Sequence, residues 1–148
     1  METLLPMCGL YVSGSETQTA NAVAAARRAA EVLLTRRLFK RRSDGTLIQP
    51  EFISLHYPLY WHYDFLGGLK AMAEVGLVDD PRCSDALDLL ERKELPGGGW
   101  PAEKRYYKVT SQVELHADYV DWGGTSRDRM NAWVTTDALY VLRQAGRM

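Results

Sequence analysis

Apolar residues recur at the three- and four-residue steps of amphipathic helices in four stretches of this chain. In the first, about Asn21 to Phe39, Ala26, Ala30, Leu33, Leu34 and Leu38 share one side, while Arg28, Glu31 and Thr35 face away. The second runs from about Trp61 to Val75, with Phe65, Leu66, Leu69, Met72 and Ala73 on one face and Gly76 placed for a left-handed cap. Its other side is smooth, with Gly67, Gly68 and Ala71 beside Asp64. A glycine inside a helix costs about 1 kcal/mol, so the pair calls for close packing or room for a ligand. The third opens on Asp80-Pro81, a cap residue followed by proline at the first helical position, and runs to about Glu94. Cys83, Ala86, Leu87 and Leu90 form its stripe, and Asp88 with Arg92 makes a four-residue ion pair. The fourth runs from about Asn131 to Ala145, capped by Gly146, with Ala138, Leu139, Leu142 and Ala145 together and Trp133, Thr136, Asp137 and Tyr140 opposite.

Outside the helices the pattern is looser. Residues 1–19, rich in Gly, Ser and Thr after Met7, are expected to be a flexible arm preceding a single domain over 20–148. Pro96 to Met130 has no helical period, and its Arg105–Val109 and Val113–Val120 stretches, with Tyr and Val, are expected to pair as short strands. A connection of this length carries a functional or packing reason. Its opening, Gly97-Gly98-Gly99-Trp100-Pro101, lets the backbone turn tightly and bring the indole inward, so Trp100 is expected to be buried.

The chain also echoes itself. Ala30 to Arg37 resembles Ala86 to Lys93, an offset of 56 residues. Each copy is followed by a glycine-containing loop and then by a helix that opens near tryptophan and ends alike, Lys70 to Gly76 and Tyr140 to Gly146. An outer helix, a Gly-x-Trp loop and an inner helix make up the repeating unit of the α/α toroid of squalene cyclases, other terpenoid cyclases and protein prenyltransferases. Glu91 to Leu95 with Gly98-Gly99-Trp100-Pro101 resembles that family's Gln/Trp repeat motif, without its Gln. Trp61-His62-Tyr63-Asp64 and Asn131-Ala132-Trp133 resemble inner-helix starts of bacterial relatives. Over about Ala20 to Arg147 the resemblance implies a mainly α fold of helical hairpins, and four helices form only an arc of the closed ring.

Composition narrows the reading. The 148 residues suffice for one domain, and a net charge of -1 gives no global field for nucleic acid or an acidic membrane. Arg36, Arg37, Lys40, Arg41 and Arg42 form the one dense cationic run and are read as a solvated helix end. Cys8 and Cys83 give neither a disulfide framework nor metal-ligand spacing, so a reducing cytoplasm is expected. No run of roughly 20 apolar residues offers a membrane span.

The family's chemistry is missing. Squalene-type cyclases use an Asp-x-Asp-Asp acid, whereas Leu77-Val78-Asp79-Asp80 lacks the first Asp. The magnesium motif Asp-Asp-x-x-Asp fails because Asp79-Asp80-Pro81-Arg82 ends in Cys83. His56, His62 and His116 are scattered, and neither cysteine neighbours one, so no zinc pattern emerges. No catalytic residue, metal or cofactor is therefore assigned. Trp61, His62 and Asp64, with Trp133, Asp137 and Tyr140, are the candidate pocket wall: flat aromatic surface with carboxylates, suited to an isoprenoid or other apolar molecule, or to a sugar ring. His62 is read as a half-buried core residue and Asp64 as a helix-start residue, the functional alternative being that Asp64 lines a cleft beside Gly67 and Gly68. Glu103 and Glu114 flank the long loop and could face the same opening. The reading that follows is a non-catalytic binding or interaction module, paired as a homodimer to cover its uncovered flanks. The alternative is a terpenoid-cyclase-like or glycoside-processing enzyme working through Asp64 and Asp137.

Overall fold

A computed structural model of the chain describes residues 3–17, 19–109 and 120–148. Among the described residues five α-helices follow one another: α1 (Leu4–Glu16), α2 (Ala20–Leu34), α3 (Phe65–Glu74), α4 (Ser84–Arg92) and α5 (Ala132–Gln144). Single 3-10 turns stand at Pro50–Ile53 and Pro81–Cys83. Among the described residues there is no β-sheet, only isolated bridges between Lys40 and Leu47 and between His56 and Lys104. The expected strand at Arg105–Val109 does not form, and Val113–Val120 lies almost wholly outside the described residues, as do Glu114 and His116.

Helix ends follow the chemistry of their caps. Asp64 accepts a hydrogen bond from the Gly67 amide, and Asp80 from that of Arg82. Asn131 accepts from both Trp133 and Val134. Each satisfies amides that the first helical turn leaves without partners. The second helix therefore starts at Phe65, with Trp61, His62 and Tyr63 in the segment before it. Gly76 and Gly146 close α3 and α5 in left-handed backbone, each followed by an amide returning to the helix, Leu77 to Met72 and Arg147 to Leu142.

The centre of the molecule is α3, which packs against α1, α4 and α5. Phe65, Leu69, Met72 and Val75 have no exposed surface, and full burial of such side chains is worth about 1.5–3 kcal/mol each. The smooth side of α3 is buried as well, including Gly67, Gly68 and Ala71. Close packing explains both glycines. A Cβ at Gly67 would lie 2.7 Å from the tip of Leu59, and one at Gly68 would fall on the Tyr63 hydroxyl. The stripe expected on the third helix is buried throughout, and Ala30 and Leu34 of α2 match Ala86 and Leu90 of α4 in being fully buried. On α5 the core face is Val134, Ala138, Val141 and Leu142, whereas Leu139 is exposed. Asp88 pairs with Arg147 rather than with Arg92.

The N-terminal segment departs from the expected loose arm. It forms α1, which packs along α2 and buries Leu4 and Met7 in the common core. Gly14 permits the contact, since a Cβ there would stand 2.9 Å from both Cγ2 and the backbone nitrogen of Val23. Tertiary packing here overrides a composition poor in helix formers.

Trp100 is 2% exposed, as its glycine run implies, and its Nε1 donates to the Leu90 carbonyl at 2.7 Å. Gly99 precedes it at φ +79°, a conformation that side chains resist. Between α2 and α3 the chain makes a compact excursion. α2 stops at Leu34, and the backbone passes through left-handed geometry at Arg37 and Leu38, at φ 43° and 68°. Consecutive non-glycine residues in this region are strained and need enforcement by their surroundings. Leu38 supplies it: its side chain is buried, its amide bonds the Leu33 carbonyl, and its own carbonyl accepts the Tyr63 hydroxyl at 2.7 Å.

Candidate functional site

The candidate wall read from the sequence divides into two aromatic groups, both drawing on the segment His56–Trp61. In the first, His62 stacks on Tyr106 with ring centroids 3.5 Å apart, and both rings stand edge-on to His56. Trp61 leans on His62 but is 74% exposed. In the second, Trp133 stacks on Tyr57 at 5.3 Å, with Trp122 packed against both. Asp137, one turn further along α5, meets Lys70 of α3 at 2.6 Å. Tyr140 lies beyond it at the surface.

Asp64 does not line a cleft. It is buried, and its two oxygens accept three N–H groups: the Gly67 amide at 2.8 Å, the His56 amide at 3.1 Å and the His56 ring at 3.0 Å. The partner that completes Asp64 is thus His56, eight residues upstream and not on the helix, rather than His62. A carboxylate only accepts, so Nδ1 of His56 carries a proton. Burial pushes the His56 pKa down, but the hydrogen bond and charge of Asp64 raise it further, and it ends above the ordinary histidine value. Its Nε2 is buried with no partner among the described residues. His62, by contrast, is held below the ordinary value by loss of water and by the neighbouring His56.

Two further carboxylates, Glu103 and Asp85, are committed elsewhere. Glu103 clasps Lys93 at 2.7 Å and accepts the Leu55 amide at 2.8 Å, so it acts as a clamp between the long loop, α4 and the segment before the aromatic groups. Asp85 takes both Arg37 and Lys40, at 3.0 and 2.6 Å. Burial pushes the Cys8 and Cys83 thiols each up to about 12. Among the described residues no three His, Cys, Asp or Glu side chains converge in a metal-binding group, and no helix is long and apolar enough to cross a membrane.

A concavity lies elsewhere. A groove of about 590 Å³ opens between the outer face of α2 and the excursion that follows it. Val32, Leu33, Leu38, Ile48, Phe52 and Tyr63 give it an apolar lining, and Arg36, Arg41 and Arg42 stand around it. The cationic run follows directly on the end of α2 at Leu34, with Arg36, Arg37, Arg41 and Arg42 exposed. Arg36, Arg41 and Arg42 also border a smaller cleft of about 240 Å³ with Thr35, Arg37, Lys40 and Gly45. Arg41 donates to the Leu47 carbonyl at 3.2 Å, and Arg36 reaches the Val32 carbonyl at 3.4 Å.

Comparison with protein-family models, with curated proteins and with solved structures finds no match to this chain.

Sequence reasoning reached Trp133, Asp137 and Tyr140 as one face of α5, and the structure keeps them there. It did not bring together His56 with Asp64, nor the groove. The available signal for the groove was the five-cation run interrupted by Leu38-Phe39 and followed by Leu47-Ile48, a pattern unlike a plain solvated face.

Proposed function

We propose that this chain is a non-catalytic binding module on a scaffold of helical hairpins, arranged as an arc of a squalene-cyclase-like α/α toroid, and that its ligand is an apolar small molecule held in the groove beside α2. The observation that carries this is the groove itself: about 590 Å³ with six apolar side chains facing it. That size falls within the range of sites for small organic ligands. The scaffold reading draws on the matched burial of Ala30 and Leu34 with Ala86 and Leu90, and on the like endings at Gly76 and Gly146. Asp64 is buried and held by the Gly67 amide, and Asp137 meets Lys70, so the two carboxylates of the enzyme alternative do not face the groove. The proposal includes a cytoplasmic setting and pairing of two copies through α5, where Trp133, Leu139 and Tyr140 present apolar surface.

A neutral fluorescent probe, N-phenyl-1-naphthylamine, tests the groove. Its emission should rise with the native protein, and Ile48→Trp, which fills the lining, should abolish the rise while leaving the melting temperature within a few degrees. Equal enhancement by a folded Ile48→Trp protein would show that the groove is not the site. Native mass spectrometry of the purified chain supplies an independent reading, with apolar adducts expected on wild type and absent from the variant.

A further inference from the structure

The geometry points to a more specific ligand: a single apolar chain ending in a phosphate group, with the chain along the groove beside α2 and the phosphate at Arg36, Arg41 and Arg42. This rests on the groove being the binding site, and adds to it the chemistry of the head group.

Two cavities share these arginines. One has an apolar lining and the other is bordered mainly by cations, and Arg36, Arg41 and Arg42 line both. A molecule seated in the first with one end at these arginines must change there from apolar to anionic. Five cationic side chains lie within Arg36–Arg42, but Arg37 and Lys40 are drawn to Asp85 from α4. Arg36, Arg41 and Arg42 enter no ion pair among the described residues, and the nearby Asp44 is engaged mainly with Thr46. Three guanidinium groups without carboxylate partners present several N–H forks to one region. A carboxylate has two oxygens and satisfies one fork, whereas a phosphate monoester brings three acceptor oxygens and nearly two charges. The smaller cleft, about 240 Å³, also leaves room for a tetrahedral group.

The strained turn at Arg37 and Leu38 sets the arrangement. It reverses the chain after α2, so that Arg41 and Arg42 return beside Arg36 instead of continuing along a helix axis. Tyr63, whose hydroxyl holds the Leu38 carbonyl, forms part of the apolar lining of the same groove. The three arginines are solvent-exposed, so they are too well hydrated to hold a small anion tightly by themselves. Chain burial must supply the rest of the affinity, and the two parts of the ligand are read together.

Displacement of N-phenyl-1-naphthylamine tests the head group. Decyl phosphate and decanol, each below its aggregation limit, are titrated against the probe–protein complex. Decyl phosphate should half-displace the probe at a concentration at least tenfold lower than decanol, and inorganic phosphate alone should leave the probe bound. The preference should fall to within about twofold in the Arg36→Gln/Arg41→Gln/Arg42→Gln protein, with decanol displacement unchanged. Equal displacement by the two ligands in wild type overturns the phosphate assignment and leaves the groove reading intact. A probe that never binds wild type overturns the groove reading, and the head-group assignment falls with it. Co-sedimentation with phosphatidylglycerol vesicles that depends on the same arginines, without preference for decyl phosphate, would assign the cations to a lipid surface and overturn the proposal.

Discussion

At Trp100 one side chain fills the space between α4 and the loop and also satisfies the Leu90 carbonyl. Trp100→Ala removes both contributions, and large-to-small changes of this kind cost about 3–5 kcal/mol. A urea midpoint unchanged in Trp100→Ala would contradict the assignment. This role was legible because glycines before a large ring have a local steric meaning. Asp64 was legible only in part. Its place at a helix start could be read, but its partner His56 lies on an irregular segment, where helical spacing says nothing. The pair gives a signed pH dependence. The folded pKa of His56 is raised above its unfolded value of about 6.5, so the fold favours the charged imidazole. Its stabilising contribution is complete below that unfolded value and is lost as pH rises through the folded one. Asp64 promotes the charge, while burial and Lys104 oppose it. Wild type should therefore lose stability from pH 6 to 8 relative to His56→Gln, as measured by urea midpoints. Parallel pH profiles of the two proteins would refute the coupling.

Elements with both a stripe and a cap were readable, and α5 begins and ends close to where periodicity and cap residues place it, whereas Asp80-Pro81 opens a 3-10 turn and α4 itself starts only at Ser84. α1 was not readable, because its apolar residues surround the axis instead of forming a stripe, and its glycines and proline argue against a helix. Contact with α2 and α3 accounts for it. The groove escaped for a related reason: one wall is a helix, while the other is an excursion without period. Gly67 and Gly68 sit in two different environments, which predict unequal effects of substitution. At Gly67 the obstacle is a flexible leucine tip, but at Gly68 it is a hydroxyl fixed by the Leu38 carbonyl. Gly68→Ala should destabilise the protein by about 1–3 kcal/mol despite the better helix propensity of alanine. Gly67→Ala should cost less. Thermal melts of the two variants make the comparison, and a Gly68→Ala protein more stable than wild type would contradict it.

For the whole molecule, the mainly helical class was legible because α-helices account for all the strongly periodic stretches. The relation between helices was not, since packing partners depend on contacts far apart in sequence. The pairing proposed for α5 is a property at this scale. Size exclusion with light scattering at micromolar concentration should give about twice 16.7 kDa, and Leu139→Lys/Tyr140→Lys should return the mass to that of one chain. A wild-type monomer would remove the pairing from the proposal. The Glu103 clamp has its own consequence. The Leu55 amide donates to its carboxylate, while the amides of Glu103 and Lys104 both return to the Leu55 carbonyl, and Lys93 locks the carboxylate from α4. None of these bonds can open alone without disturbing the others. In deuterated water, the amides of Leu55, Glu103 and Lys104 should therefore exchange as one slow cooperative group. Glu103→Gln, which leaves the shape but weakens the grip on Lys93, should quicken all three together, so that two stretches almost fifty residues apart in sequence share a single clock.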